Sequence, residues 1–107
     1  MESKLPELGR FAEPALLILV SLGEGPKHGY AIMLDVEAAT GTPMGPGTLY
    51  AALARLEERG LIEALVPVDR RRPYRLTGLG ATVLEAQLQG LSAFAALGLR
   101  RLEGGTQ

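Results

Sequence analysis

At 107 residues the chain has the length of one compact domain, able to bury about two-thirds of the surface its unfolded state exposes. Its 47% hydrophobic and 21% charged residues, with a formal net charge of -1, suit a soluble globular protein and exclude both a disordered charged tail and a globally basic surface. Cysteine is absent, which excludes disulfides and thiolate metal sites and agrees with a reducing compartment.

Residues 1–12 are read as an N-terminal segment in which Leu5, Leu8 and Phe11 stand at helical spacing, a candidate short helix. Pro14 then suits the first turn of a helix, and the run from Ala15 to Leu22 is apolar nearly all round, as in a deeply buried helix. That run is too short to span a bilayer, and Glu2, Lys4 and Pro6 before it do not make a signal peptide, so a cytoplasmic location with no membrane partner is expected. Gly23, Gly25 and Pro26 end it. His28-Gly29-Tyr30 opens a second helix, with Ile32, Val36 and Ala39 recurring at helical spacing up to Thr40-Gly41. After a turn over residues 42–47, Leu49, Leu53 and Leu56 mark the apolar face of a third helix that Gly60 stops.

Leu61 to Val68 is β-branched and apolar, Asp69 to Arg72 is a charged tip, and Tyr74-Arg75-Leu76 resumes an extended pattern, so a hairpin is predicted. Pro67 and Pro73 flank its tip and keep the strands short or at an edge. Thr77 is placed to cap a last helix from about Leu79 to Leu102, on the order of 35 Å long. So long a helix outruns the core that three short helices offer. Leu84, Leu88, Leu91, Ala95, Gly98 and Leu102 alternate spacings of four and three, the seam of helices that pack along one another. A homodimerisation helix is one reading; a helix folded back on its own domain is the other. The organisation expected is therefore a domain of three helices and a hairpin over 13–77, a dimerisation helix over 78–103 and a disordered tail over 104–107, mainly α with a small β-hairpin.

Three helices followed by a two-stranded hairpin is the order of the winged helix-turn-helix, whose third helix enters the major groove while the wing reaches the neighbouring backbone or minor groove. On the third helix Gly47, Ala51, Ala54, Arg55 and Glu58 lie opposite the leucines, with Thr48 and Tyr50 on the flanks. Small residues there let the helix sit deep, where Ala51 and Ala54 can touch thymine methyls. Thr48 and Arg55 are the candidate base readers; the bland alternative makes Arg55 a solvated helix residue paired with Glu58. The backbone N–H groups of Gly47 and Thr48 face outward from a helix N-terminus and can receive a phosphate oxygen. Tyr50 either donates its hydroxyl to a phosphate or props the third helix on the second. Lys27 and Tyr30 are further phosphate candidates; His28, the single histidine, stands with them where winged-helix proteins meet the DNA backbone, and a satisfied turn histidine is the reading preferred for it over a backbone contact. Arg70, Arg71 and Arg72 concentrate positive charge at the wing tip, which a neutral chain needs somewhere if it is to bind a polyanion. Arg75 is free to face either way.

Catalysis lacks its parts: one histidine, no cysteine, no phosphate loop and no paired acids in a recognisable motif, so neither an enzyme nor a metal or cofactor site is expected. The serious rival is a winged-helix protein-interaction module that never touches DNA. Such a module should present an exposed apolar patch on the third helix, and this outward face is small and mixed.

His28-Gly29-Tyr30, then Pro46-Gly47-Thr48-Leu49-Tyr50, then an arginine-rich wing ending in Tyr74-Arg75-Leu76-Thr77 follow one another in an order that resembles the PadR family over most of the chain. The departures are Gly45 where the family commonly has serine, Ala51 where it often has proline and Ala31 where glutamate is frequent; they bear on the bases read, not on the fold. The resemblance implies a homodimer joined through the C-terminal helix on a pseudo-palindromic operator, usually a repressor of transcription, often released by a small molecule. The dimer contacts would be Leu84, Leu88, Leu91, Ala95 and Leu102, and a flat apolar or aromatic effector would pack near Leu91 and Phe94.

Overall fold

The computed structural model describes residues 13–105; the candidate helix over residues 1–12 lies outside them. The order of elements is α1 (Pro14–Leu22), β1 (Lys27–His28), α2 (Gly29–Thr40), α3 (Pro46–Glu58), β2 (Ile62–Ala64), β3 (Pro73–Leu76) and α4 (Gly78–Gly105). Pro14 takes the first turn of α1, where its missing N–H is no loss. Helix α2 ends on Gly41 in the left-handed conformation, and α3 on Arg59 with Gly60 left-handed behind it (φ 75°). Thr77 caps α4 by accepting from Gly80 N–H at 3.0 Å, while its own hydroxyl donates to the Gly60 carbonyl at 2.6 Å. The end of α3 and the start of α4 are thus tied by one side chain.

Ile18, Leu19 and Leu22 of α1, Ile32 and Val36 of α2, Leu49, Ala52, Leu53 and Leu56 of α3, Ile62 of β2 and Leu84 of α4 form the core. The leucines of α3 all point into it, as their spacing predicts. Helix α1 is less enclosed than its composition suggests, because Val20 is exposed. Beneath its C-terminal end a polar cluster replaces apolar packing: the buried Ser21 hydroxyl donates to Asp35 Oδ2 at 2.7 Å, and Lys27 Nζ lies 3.7 Å from the same oxygen and 2.6 Å from Glu24. Lys27 also donates to the Ser21 carbonyl.

The hairpin is present, with strands of three and four residues, and it gains a third strand that the sequence did not announce. The antiparallel order is β1-β3-β2, with Lys27 opposite Tyr74, His28 opposite Pro73, and Glu63 opposite Arg75. Arg75 donates to Glu63 across the ladder at 2.5 Å, which settles its direction. At the tip Val68 and Arg71 exchange backbone hydrogen bonds of 2.8 and 2.9 Å around Asp69 and Arg70. Both loop residues have positive φ, 51° and 67°, the mirror-image turn that hairpins of right-handed twist prefer.

Helix α4 runs for 28 residues, about 42 Å at the usual rise, and sets the long axis of a molecule 58 Å by 28 Å by 20 Å. It continues through Gly104 and Gly105, two of the residues expected in a tail. Gly80 lets its first turn lie on the chain leaving α3: a Cβ there would stand 2.9 Å from the Leu61 carbonyl carbon and closer to its oxygen. Beyond Leu84 the helix leaves the core, and Leu88, Leu91, Phe94, Leu99 and Leu102 are exposed. Leu84 itself is only 7% exposed and belongs to the domain's own core. This corrects its expected place in the seam: the same spacing runs on from a turn that packs inward to turns that are exposed.

Candidate nucleic-acid interface

The face opposite the core gathers the wing tip, the start of α2 and the start of α3. A cavity of about 260 Å³ opens between them, lined by His28, Gly29 and Tyr30 from α2 and its approach, Tyr50 from α3, and Arg70, Arg71, Arg72 and Tyr74 from the wing. The chain has three tyrosines and one histidine, and this cavity holds them all. The local cause is Gly29: a Cβ at that position would stand 2.8 Å from Tyr50 Cζ and closer still to its hydroxyl. The glycine lets the Tyr50 ring lie on the backbone of α2 while about half of the residue stays exposed. Both readings of Tyr50, prop and donor, fit that position at once.

Burial holds the Tyr74 hydroxyl above the ordinary phenol range, with Glu57 and Tyr50 adding to the effect and Arg72 opposing it. At neutral pH it is therefore a proton donor, never a phenolate. Arg71 reaches back to His28, Nη1 to Nε2 at 3.2 Å, and Arg72 donates to the Leu65 carbonyl at 3.4 Å. Arg70 projects from the tip and is exposed. The other nitrogen of His28, Nδ1, caps α2 by accepting from Ala31 N–H at 3.3 Å. Among the described residues no group of three or more His, Cys, Asp and Glu side chains could hold a metal ion, and no helix is long and apolar enough to cross a membrane.

On α3, Gly47, Thr48, Ala51, Ala54, Arg55 and Glu58 are all exposed, one row of small and polar residues beside the cavity. Tyr30 is exposed at the start of α2. Lys27 is the residue that the structure does not bring to this face. Its side chain is 14% exposed and its ammonium is held by Glu24, Asp35 and the Ser21 carbonyl. The sequence favoured a turn role for His28 over a backbone contact and offered Tyr74 only as part of a strand; both border the cavity because β1 pairs with β3, a contact between positions more than forty residues apart.

Residues 18–86 match the model of the transcriptional regulator PadR-like family. The chain belongs to this family. PadR-like proteins are DNA-binding transcriptional regulators, and the solved structures agree. A PadR family transcription regulator from a hypervirulent Clostridium difficile superposes with a TM-score of 0.77 at 26% identity, over 85% of this chain and 99% of that one. A transcriptional regulator from Clostridium thermocellum gives a TM-score of 0.72 at 27% identity, over 91% and 94% of the two chains. Among curated proteins, a 37.1 kDa protein of a Streptomyces fradiae transposon is 41% identical over 83 residues, which is 78% of this PadR-like chain and 24% of that protein. The chain thus spans about a quarter of the length of that relative.

Proposed function

We propose that this PadR-like chain acts in the cytoplasm as a homodimeric repressor on an inverted-repeat operator, with residues 13–77 as the reading domain and 78–103 as the dimerisation helix. The observation that carries the reading is the single exposed face on which α3, three tyrosine hydroxyls and three wing arginines converge, opposite a closed apolar core. In this arrangement Thr48 and Arg55 read base edges, Ala51 meets a thymine methyl, and the N–H groups of Gly47 and Thr48 receive a phosphate. Tyr30 and Tyr50 donate to the backbone, and Arg70, Arg71 and Arg72 grip phosphate or enter the minor groove. Lys27 has a different assignment: its ion pairs pin β1 to α1 and α2 and so fix where His28 and Tyr30 stand.

Leu88, Leu91, Ala95 and Leu102 supply the dimer contact, since an exposed apolar stripe of this length on one helix calls for a partner. Beside it an apolar groove of about 410 Å³, bordered by Gly23, Leu76, Leu84 and Leu88, is closed by the second protomer. A flat apolar or aromatic effector packs near Leu91 and Phe94, where the two α4 helices meet.

Selection of bound sequences from random duplex DNA tests the reading. Enrichment of an inverted repeat with half-sites one or two helical turns apart is expected; recovery of no enriched site, with binding no tighter than to bulk DNA, would transfer the exposed face to a protein partner.

A further inference from the structure

We propose that His28 is itself a phosphate ligand, a neutral donor that completes a two-donor clamp with Arg71; the inference rests on the operator-binding reading above. Both ring nitrogens of His28 face donors: Nδ1 lies 3.3 Å from the Ala31 N–H, and Nε2 lies 3.2 Å from Arg71 Nη1. A neutral imidazole has one lone pair in the ring plane, and an imidazolium has none. The two contacts cannot therefore both be hydrogen bonds at the same moment. If Nδ1 caps α2, the proton sits on Nε2 and points at a guanidinium that also only donates.

An oxygen that accepts from both donors resolves such an arrangement, and an anionic oxygen does so most strongly. It accepts from Nε2–H and from Arg71 N–H together, while Nδ1 keeps its lone pair for Ala31 and the cap survives. The place for that oxygen is on the page. His28 and Arg71 both border the cavity of about 260 Å³, where the surrounding polar groups are the Arg70 and Arg72 guanidiniums and the hydroxyls of Tyr30, Tyr50 and Tyr74. His28 and Arg71 also border a second hollow of about 400 Å³ with Val68, Asp69 and Pro73, and Asp69 is absent from the lining of the arginine-rich cavity. The three arginines of the cavity favour an anionic oxygen there, and on a DNA-binding face that anion is a phosphodiester. The free protein then alternates between a capped α2 and a bonded Arg71, and DNA resolves the competition in favour of the cap.

The single histidine makes the tautomer directly readable by two-bond proton–nitrogen correlation of the ring in the full chain, with and without a saturating random-sequence 30-base-pair duplex. With DNA bound, a single Nε2–H tautomer is expected. His28→Asn keeps a side-chain acceptor for the α2 cap but removes the outer donor; it is expected to retain its melting temperature and to bind the duplex about tenfold more weakly. Combined with Arg71→Ala, the losses should be less than multiplicative, because both groups hold one oxygen. A ring that keeps its Nδ1–H form in the complex, or a His28→Asn variant that binds like the wild type, overturns the assignment while leaving operator binding standing. A duplex that fails to bind the wild type overturns both.

Discussion

Arg70 occupies a left-handed position in a two-residue hairpin turn, φ 67°, where glycine or asparagine is the residue without strain. Holding an L side chain there costs about 1 kcal/mol. Asp69 beside it, φ 51°, is one of the few residue types that tolerate the region. Strain retained at an exposed tip, on a residue that carries a charge outward, fits a role outside the folded domain. Arg70→Gly is accordingly expected to raise stability by about 1 kcal/mol in denaturant titration and at the same time to weaken DNA binding. A variant that loses stability, or that binds as the wild type does, would separate the strain from the function.

Packing between elements sets a second class of residues, which act through backbone contact alone. The first turn of α4 lies against the Leu61 carbonyl only because residue 80 lacks a side chain. Since the obstacle is backbone, it cannot turn aside, and Gly80→Ala is expected to destabilise the domain by about 3 kcal/mol, read as a lowered denaturation midpoint. An unchanged midpoint would mean that α4 docks elsewhere. The elements most legible in the sequence were those whose signal is local: the Pro14 start of α1, the leucine face of α3, and the Thr77 cap. Strand β1 escaped because two residues show no alternation, and its partner is set by chain closure over more than forty positions. The same non-local pairing brought His28 and Tyr74 to the cavity, which is why the wing arginines could be read from the sequence and their neighbours could not. Lys27 was misplaced for a related reason. Its nearness to Asp35 depends on how α1 and α2 cross, and a lysine before a helix looks the same whether it faces a phosphate or a carboxylate of its own domain.

On the scale of the whole molecule, α4 projects an exposed apolar stripe well past the core, with Phe94 73% and Leu102 69% exposed. An isolated helix of this kind is marginal without a covering surface. The apolar spacing along the helix was legible, but it did not say where the domain's own core ends, and Leu84 shows that the boundary falls one heptad step into the helix. Placing charges beyond that boundary, with Leu88→Glu and Leu91→Glu together, is expected to yield a folded monomer by sedimentation whose operator affinity falls at least a hundredfold, because one half-site no longer recruits the other. A charged variant that stays dimeric would assign the contact to another surface.

The central claim is that the exposed face meets the DNA backbone through the wing. It is tested most directly by titrating binding to duplex DNA against salt for the wild type and for Arg70, Arg71 and Arg72 all changed to alanine. Each arginine seated on a phosphate contributes about 0.9 to the slope of log affinity against log salt. A dimer losing three per protomer should therefore show a slope shallower by up to about 5, together with weaker binding at low salt. Equal slopes for the two proteins would contradict the account, because the wing would then carry its charge without touching DNA.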